Sequence, residues 1–160
     1  MASILKTDKI EGVTSSGTVQ MPAGHVIGHG HAESTTENTI TSSSFSATSI
    51  SLTYTAKKAN SKLLLSWAIP VRHDDSLANS ELVGVLQLYK DGSSLDTSYR
   101  SNNIHDQVLK TGSVAGAQFL LDAGDTNSHT WALYAKTTFD NFKVFHGGTR
   151  GSLTILEIAQ

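Results

Sequence analysis

In the run Lys62-Leu-Leu-Leu-Ser-Trp-Ala-Ile-Pro-Val71, Leu63, Leu65, Trp67, Ile69 and Val71 fall at every second position. Successive side chains of an extended chain point to opposite sides, so this spacing makes one face wholly apolar and the other mixed, as in a half-buried strand. Runs with similar β-rich character occupy residues 48–55, 82–90, 115–123, 128–137 and 151–159. Gly, Asn, Asp and Ser stand between them. Asp91-Gly92, between Leu86-Gln-Leu-Tyr-Lys90 and Ser93-Ser-Leu95, is the dipeptide best suited to a two-residue hairpin turn. Helical spacing is not sustained anywhere beyond about two turns. About seven to nine short strands spaced in this way predict an all-β chain, an antiparallel β-sandwich of jelly-roll-like type.

A chain of 160 residues suits one such domain plus a short appendage, and can bury about two thirds of its unfolded surface without a disulfide or metal staple. It has no cysteine, which removes disulfides, thiolate metal sites and a cysteine nucleophile. The net charge is −2 with both signs scattered, so no basic stripe exists to gather nucleic acid or an anionic membrane. Near the N-terminus only the pair Ile4 and Leu5 precedes Lys6, Asp8 and Lys9, too little for a signal peptide, and no stretch approaches the ~20 apolar residues of a membrane span. The expectation is a soluble product rich in Ser, Thr and Gly, made in a cytoplasm, released by lysis, and acting through surface shape. Thr14-Ser-Ser-Gly-Thr18 and the turn-like Met21-Pro-Ala-Gly24 divide an extended arm, residues 1–24, from a β domain, residues 25–160.

Two of the strands are apolar on both faces. Leu82, Leu86 and Leu88 share one side of their run while Val83, Val85 and Tyr89 share the other; Leu153 and Ile155 oppose Leu156 and Ile158 in the same way. A surface strand of a monomeric sandwich has a polar outer side. Burial of the outer side against another copy is the favoured explanation, and a covering loop the alternative.

Ile4-Leu-Lys-Thr-Asp-Lys-Ile10 with its Gly/Ser/Thr link, Met21-Pro-Ala-Gly-His-Val-Ile27, Phe45-Ser-Ala-Thr-Ser-Ile-Ser-Leu52, Ala59-Asn-Ser-Lys-Leu-Leu-Leu65, Leu86–Gly92 and Leu153-Thr-Ile-Leu-Glu-Ile-Ala-Gln160 together resemble bacteriophage tail-fibre and related virion appendage proteins, many from phages of marine bacteria. The resemblance spans the chain, though each piece is short and its chemistry is mostly that of strands and turns. It implies a virion structural protein and not an enzyme. An N-terminal arm would dock on other virion proteins, its apolar contacts being Ile4, Leu5 and Ile10, and a jelly-roll knob would form a homotrimer and contact the host surface. A capsid decoration or head-fibre protein, and a carbohydrate-binding receptor-recognition module, are the alternatives. The sequence departs from the family in reading Gly28-His-Gly-His-Ala32 where larger β-formers are usual.

That departure places His29 and His31 on one side of a strand. No cofactor is otherwise expected. If the strand lay near a threefold axis, two histidines from each of three chains would offer six nitrogens to a transition metal, as in the His-x-His rings of long phage fibres; the plainer reading is a polar pair at the rim. His73-Asp74-Asp75 follows a strand and reads as a solvated loop, because neighbouring side chains of an extended segment diverge. Tyr99, Arg100, Asn102, Asn103 and His105 form a polar loop with one aromatic ring, a composition suited to contact with a host glycan or outer-membrane protein. His146-Gly-Gly-Thr-Arg-Gly151 lacks the Lys-Ser/Thr ending of a phosphate loop and reads as a turn.

Overall fold

The computed structural model describes residues 23–73, 81–95, 100–106, 112–138 and 141–160. Ile4, Leu5 and Ile10 of the expected docking arm lie outside the described residues, as do Asp74, Asp75 and Tyr99. The chain folds into antiparallel sheets packed on one another, the sandwich that the alternating runs predict. The strands are β1 (Val26–Ser34), β2 (Asn38–Ile40), β3 (Ser46–Thr55), β4 (Lys62–His73), β5 (Glu81–Lys90), β6 (Ser93–Ser94), β7 (Arg100–Asp106), β8 (Gly112–Asp122), β9 (Ser128–Thr137), β10 (Phe142–Val144) and β11 (Gly151–Ile158).

In sheet 1, β4 is central. It pairs with β8 along one edge and with β11 and then β10 along the other; β1 and β2 lie outside those two. Sheet 2 runs β3-β9-β5, with β7 and the short β6 on the far side of β5. The chain crosses between the sheets at most of its connections.

The core lies where the two inner faces meet. Leu63, Leu65, Trp67, Ile69 and Val71 are buried, as their spacing requires, and meet Leu86, Leu88, Trp131, Leu133 and Ala135 from sheet 2. Two glycines make room for large core rings, and Gly84 lets the two layers approach closely. A Cβ on Gly84 of β5 would clash with the ring of Phe142 from sheet 1, and one on Gly151 would meet the ring of Phe145. Phe145 turns its ring inward from a left-handed backbone (φ 58°), its amide held 2.8 Å from the carbonyl of Pro70. The β5–β6 turn has Asp91 and Gly92 at φ 50° and 75°, both in the left-handed region that a tight hairpin of this hand requires.

The outer face of β5 is covered within the chain. Val85 and Gln87 are buried there, Tyr89 stacks on Tyr134 with ring centroids 3.9 Å apart, and Phe45, from the connection before β3, packs on Tyr89. Gln87 donates to the carbonyl of Leu95 (2.7 Å) and accepts from Nε of Arg100 (2.8 Å), so its amide carries no burial penalty for want of partners. A local cap therefore accounts for the second apolar face of β5, one of the two features from which self-association was expected. Leu156 and Ile158 on the outer face of β11 are only half-buried.

Two expectations need correction. His73 is not in a solvated loop: it ends β4, fully buried, its ring 4.8 Å from that of Phe142. The segment expected to be a polar recognition loop is strand β7 from Arg100 onward, with Asn102, Asn103 and His105 opposite Val85, Gly84 and Leu82.

Replacing Gly84 by alanine forces the Phe142 ring to move and is expected to cost about 1–3 kcal/mol in denaturant unfolding. Gly124→Ala lacks such a contact and pays only for its positive φ.

Candidate functional site

His29 and His31 point outward from sheet 1, on one side, because the inward positions between them must be glycine. A Cβ on Gly28 would strike the Tyr54 hydroxyl and the Glu157 carboxylate, and one on Gly30 would strike Tyr54 and Leu52. The unusual Gly-His-Gly-His sequence is thus a packing device: β3 presses its side chains onto the backbone of β1. A bulge at Ile27 shifts the register between Val26 and Gly28, so the alternation that continues through His31 does not extend back to His25. His31 places Nδ1 2.9 Å from the Thr154 hydroxyl and Nε2 3.3 Å from Glu33. Among the described residues no group of three or more potential ligands comes together, so further ligands for a metal at His29 and His31 would come from neighbouring copies.

Beneath Gly28 lies a feature that the strand reading passed over. Glu157 of β11 is fully buried, and the connection from β3 to β4 wraps around its carboxylate. The amides of Lys57 and Lys58 donate at 2.9 and 3.0 Å, the Ser61 hydroxyl at 2.7 Å and the Tyr54 hydroxyl at 2.8 Å. Burial pushes the carboxyl upward in pKa, but these four donors outweigh it and hold the group below its ordinary value. Tyr54 is driven well above its ordinary value by burial and by the carboxylate to which it donates. One signal was present in the sequence: Glu157 continues the inward phase of Leu153 and Ile155, so a charge falls on a core-facing position.

A second polar cluster joins two turns at one end of the sandwich. His129 places Nδ1 2.6 Å from Asp91 of the hairpin turn and Nε2 3.0 Å from Asp125 of the β8–β9 connection. With a carboxylate at each nitrogen the imidazolium is favoured. Its pKa is raised, chiefly by Asp91, against partial desolvation and the nearby Lys90. Asp91 is lowered first by the amide of Thr130 and Asp125 first by that of Asn127, with His129 adding to both.

The third cluster surrounds the turn read as His146-Gly-Gly. Glu37 accepts from the Gly147 amide at 2.7 Å and faces Lys143 at 3.1 Å, and these contacts lower its pKa. Arg72 donates to Nε2 of His146 at 2.7 Å. Beside this pair an open recess of about 290 Å³ is lined by Pro70, Val71, Gly112, Ser113, Val114, His146 and Thr149. Its lining combines apolar Pro70, Val71 and Val114 with polar Ser113, His146 and Thr149. Of the residues named for glycan contact, Arg100 lies elsewhere, on sheet 2: its Nε is bound to Gln87 and its guanidinium carbon sits 5.2 Å from the centroid of the Phe45 ring. The structure thus gives Arg100 a packing role and does not bring it to the recess.

No family model matches the chain, and no curated protein sequence matches it.

Two pH limits follow from these clusters. The Glu157 contribution is complete above the ordinary carboxyl value of 4.5 and is lost as pH falls through its lower folded value. The His129 contribution is complete below the ordinary value of 6.5 and is lost as pH rises through its higher folded value. Unfolding measured across pH is expected to show Glu157→Gln weakening the protein by about 1–3 kcal/mol at neutral pH with a flatter acid limb. His129→Gln is expected to flatten the neutral-to-alkaline limb only.

Proposed function

We propose that this chain is a structural subunit of a bacteriophage tail fibre or related virion appendage, working by assembly and surface contact. In this reading residues 1–24 anchor the subunit to the virion and residues 25–160 form a jelly-roll knob. The observation that carries it is the strand order. The eight strands of seven residues or more fall as β1-β11-β4-β8 against β3-β9-β5-β7, an order that supports reading the sandwich as a jelly roll of two Greek keys. The order fits the knob that the sequence resemblance implies.

The side-chain chemistry is consistent with that role. Glu157, His129, Glu37 and Gln87 are each engaged by neighbours from other strands or connections, so the polar groups stiffen the scaffold. A rigid, weakly charged body exposing Ser and Thr suits recognition by shape. Leu156 and Ile158, half-buried on the outer face of sheet 1, favour contact with further copies, and a homotrimer is the assembly that the family resemblance brings with it.

Immunogold electron microscopy of virions of the encoding phage, with antibody against this chain, tests the reading. Gold at the tail or at fibres projecting from the virion is expected. Purified virions that carry none of the protein would overturn it.

A further inference from the structure

The outer face of sheet 2 carries two cations with no carboxylate beside them among the described residues. Arg100 of β7 places its guanidinium carbon 5.2 Å from the centre of the Phe45 ring, and Lys136 of β9 places Nζ 5.0 Å from the same centre. The two charges therefore lie at most about 10 Å apart, a separation at which physiological salt screens their repulsion only in part. Lys62, Lys143 and Arg150 each sit beside a carboxylate, of Asp122, Glu37 and Glu33. Arg100 and Lys136 have no such partner among the described residues. Strands β3 and β9 contain no acidic residue, and neither does β5 from Leu82 to Lys90, so these strands supply no counter-charge.

Both cations are held in place. Gln87 accepts from Nε of Arg100 at 2.8 Å, and its own buried amide is fixed by donating to the carbonyl of Leu95. Phe45 attracts both charges through the negative face of its ring. The bond to Gln87 uses one of the five guanidinium donors and leaves the terminal fork for an acceptor from solvent.

Aromatic surface adjoins the charges. Tyr89 stacks on Tyr134 at 3.9 Å between centroids, and Phe45 leans on Tyr89 at 6.1 Å. Phe45, Tyr89, Arg100, Tyr134 and Lys136 are each half-buried, so each keeps part of its surface in solvent. By register, one row across the sheet runs Arg100, Gln87, Tyr134, Ala47, and the next runs Tyr89, Ala132 and the exposed Ser51.

A ligand that uses this whole surface needs a negative charge for the cations and an apolar ring face for the aromatics. A bare phosphate meets only the first need, and a neutral sugar only the second. A sugar that bears a carboxylate meets both. Its planar carboxylate matches the guanidinium fork, its C–H face rests against the aromatic rings, and its hydroxyls bond the phenols and Ser51.

We propose that the outer face of sheet 2 binds an acidic polysaccharide, with Arg100 and Lys136 taking the carboxylates of uronic-acid units and Tyr89 and Tyr134 the sugar rings. The site is complete within one chain and independent of the virion reading, which is decided by where the protein is found.

NMR titration of the full chain with tetragalacturonate tests the site. Progressive shifts centred on the amides of Tyr89, Tyr134 and Lys136 are expected, with a Kd on the order of 1 mM that rises as salt is added. Maltotetraose and inorganic phosphate are expected to bind at least about 10-fold more weakly. Lys136→Gln removes one charge from a partly exposed side chain, so the fold should survive, verified by an unchanged melting temperature, while tetragalacturonate binding weakens at least about 5-fold. Arg100→Gln is expected to act in the same direction; if that chain fails to fold, Lys136→Gln decides. Lys62→Gln, on sheet 1, is expected to leave binding unchanged. Absence of tetragalacturonate binding at about 20 mM would overturn the site. So would equal binding of maltotetraose or phosphate, a Lys136→Gln chain that binds as the wild type does, or an equal loss with Lys62→Gln.

Discussion

The carboxylate of Glu157 sits inside the sandwich, and four donors converge on it from the segment that carries the chain from sheet 2 to sheet 1. An ionised carboxylate buried without partners is too costly to persist, so the fold holds this charge only while the segment from Tyr54 to Ser61 stays wrapped around it. The dependence runs both ways. The amides of Lys57 and Lys58 have neither helix nor strand to receive them, and Glu157 is their acceptor. The Tyr54 ring, drawn to the same carboxylate, occupies the space above Gly28 and Gly30. Through that ring the charge governs how closely β1 lies on β3, and hence which side of β1 shows His29 and His31 to solvent.

The other polar clusters repeat this arrangement at smaller scale. His129 ties the β5–β6 turn to the β8–β9 connection, Glu37 ties the segment after β1 to the turn after β10, and Gln87 ties the backbone carbonyl of Leu95 to Arg100 at the start of β7. Each adds side-chain bonds at or beyond the ends of the strand ladders. Apolar burial sets the two layers face to face, and these charge-assisted contacts fix the connections between them. Sheet 1 keeps an outer face that is partly apolar, while sheet 2 covers part of its own with Phe45, Tyr89 and Tyr134.

Most of the architecture was legible because it depends on period-two burial. The runs at 48–55, 62–71, 82–90, 115–123, 128–137 and 151–159 correspond to the six strands β3, β4, β5, β8, β9 and β11, and Asp91-Gly92 is the turn it was read to be. Strand β7 was illegible for a physical reason. Arg100-Ser-Asn-Asn-Ile-His-Asp106 has few of the side chains that favour strands, yet main-chain pairing with β5 does not require them. The cover over Val85 and Gln87 was invisible because Phe45 and Tyr134 are far from β5 in sequence. Glu157 and the glycines of β1 were present as single residues out of pattern, but their meaning lies in Tyr54, which only the fold brings to them. The candidate glycan contact at Arg100 reads differently once its packing on Phe45 and Gln87 is seen.

Amide hydrogen exchange at Lys57 and Lys58, followed by NMR at neutral pH, tests most directly the claim that a buried carboxylate organises the fold. Both residues lie outside any strand, with their side chains partly or largely in solvent. If Glu157 holds the connection closed, their amides exchange as slowly as those in the middle of β4, because opening them requires unfolding around the charge. Exchange at the rate of an ordinary surface loop would contradict the account.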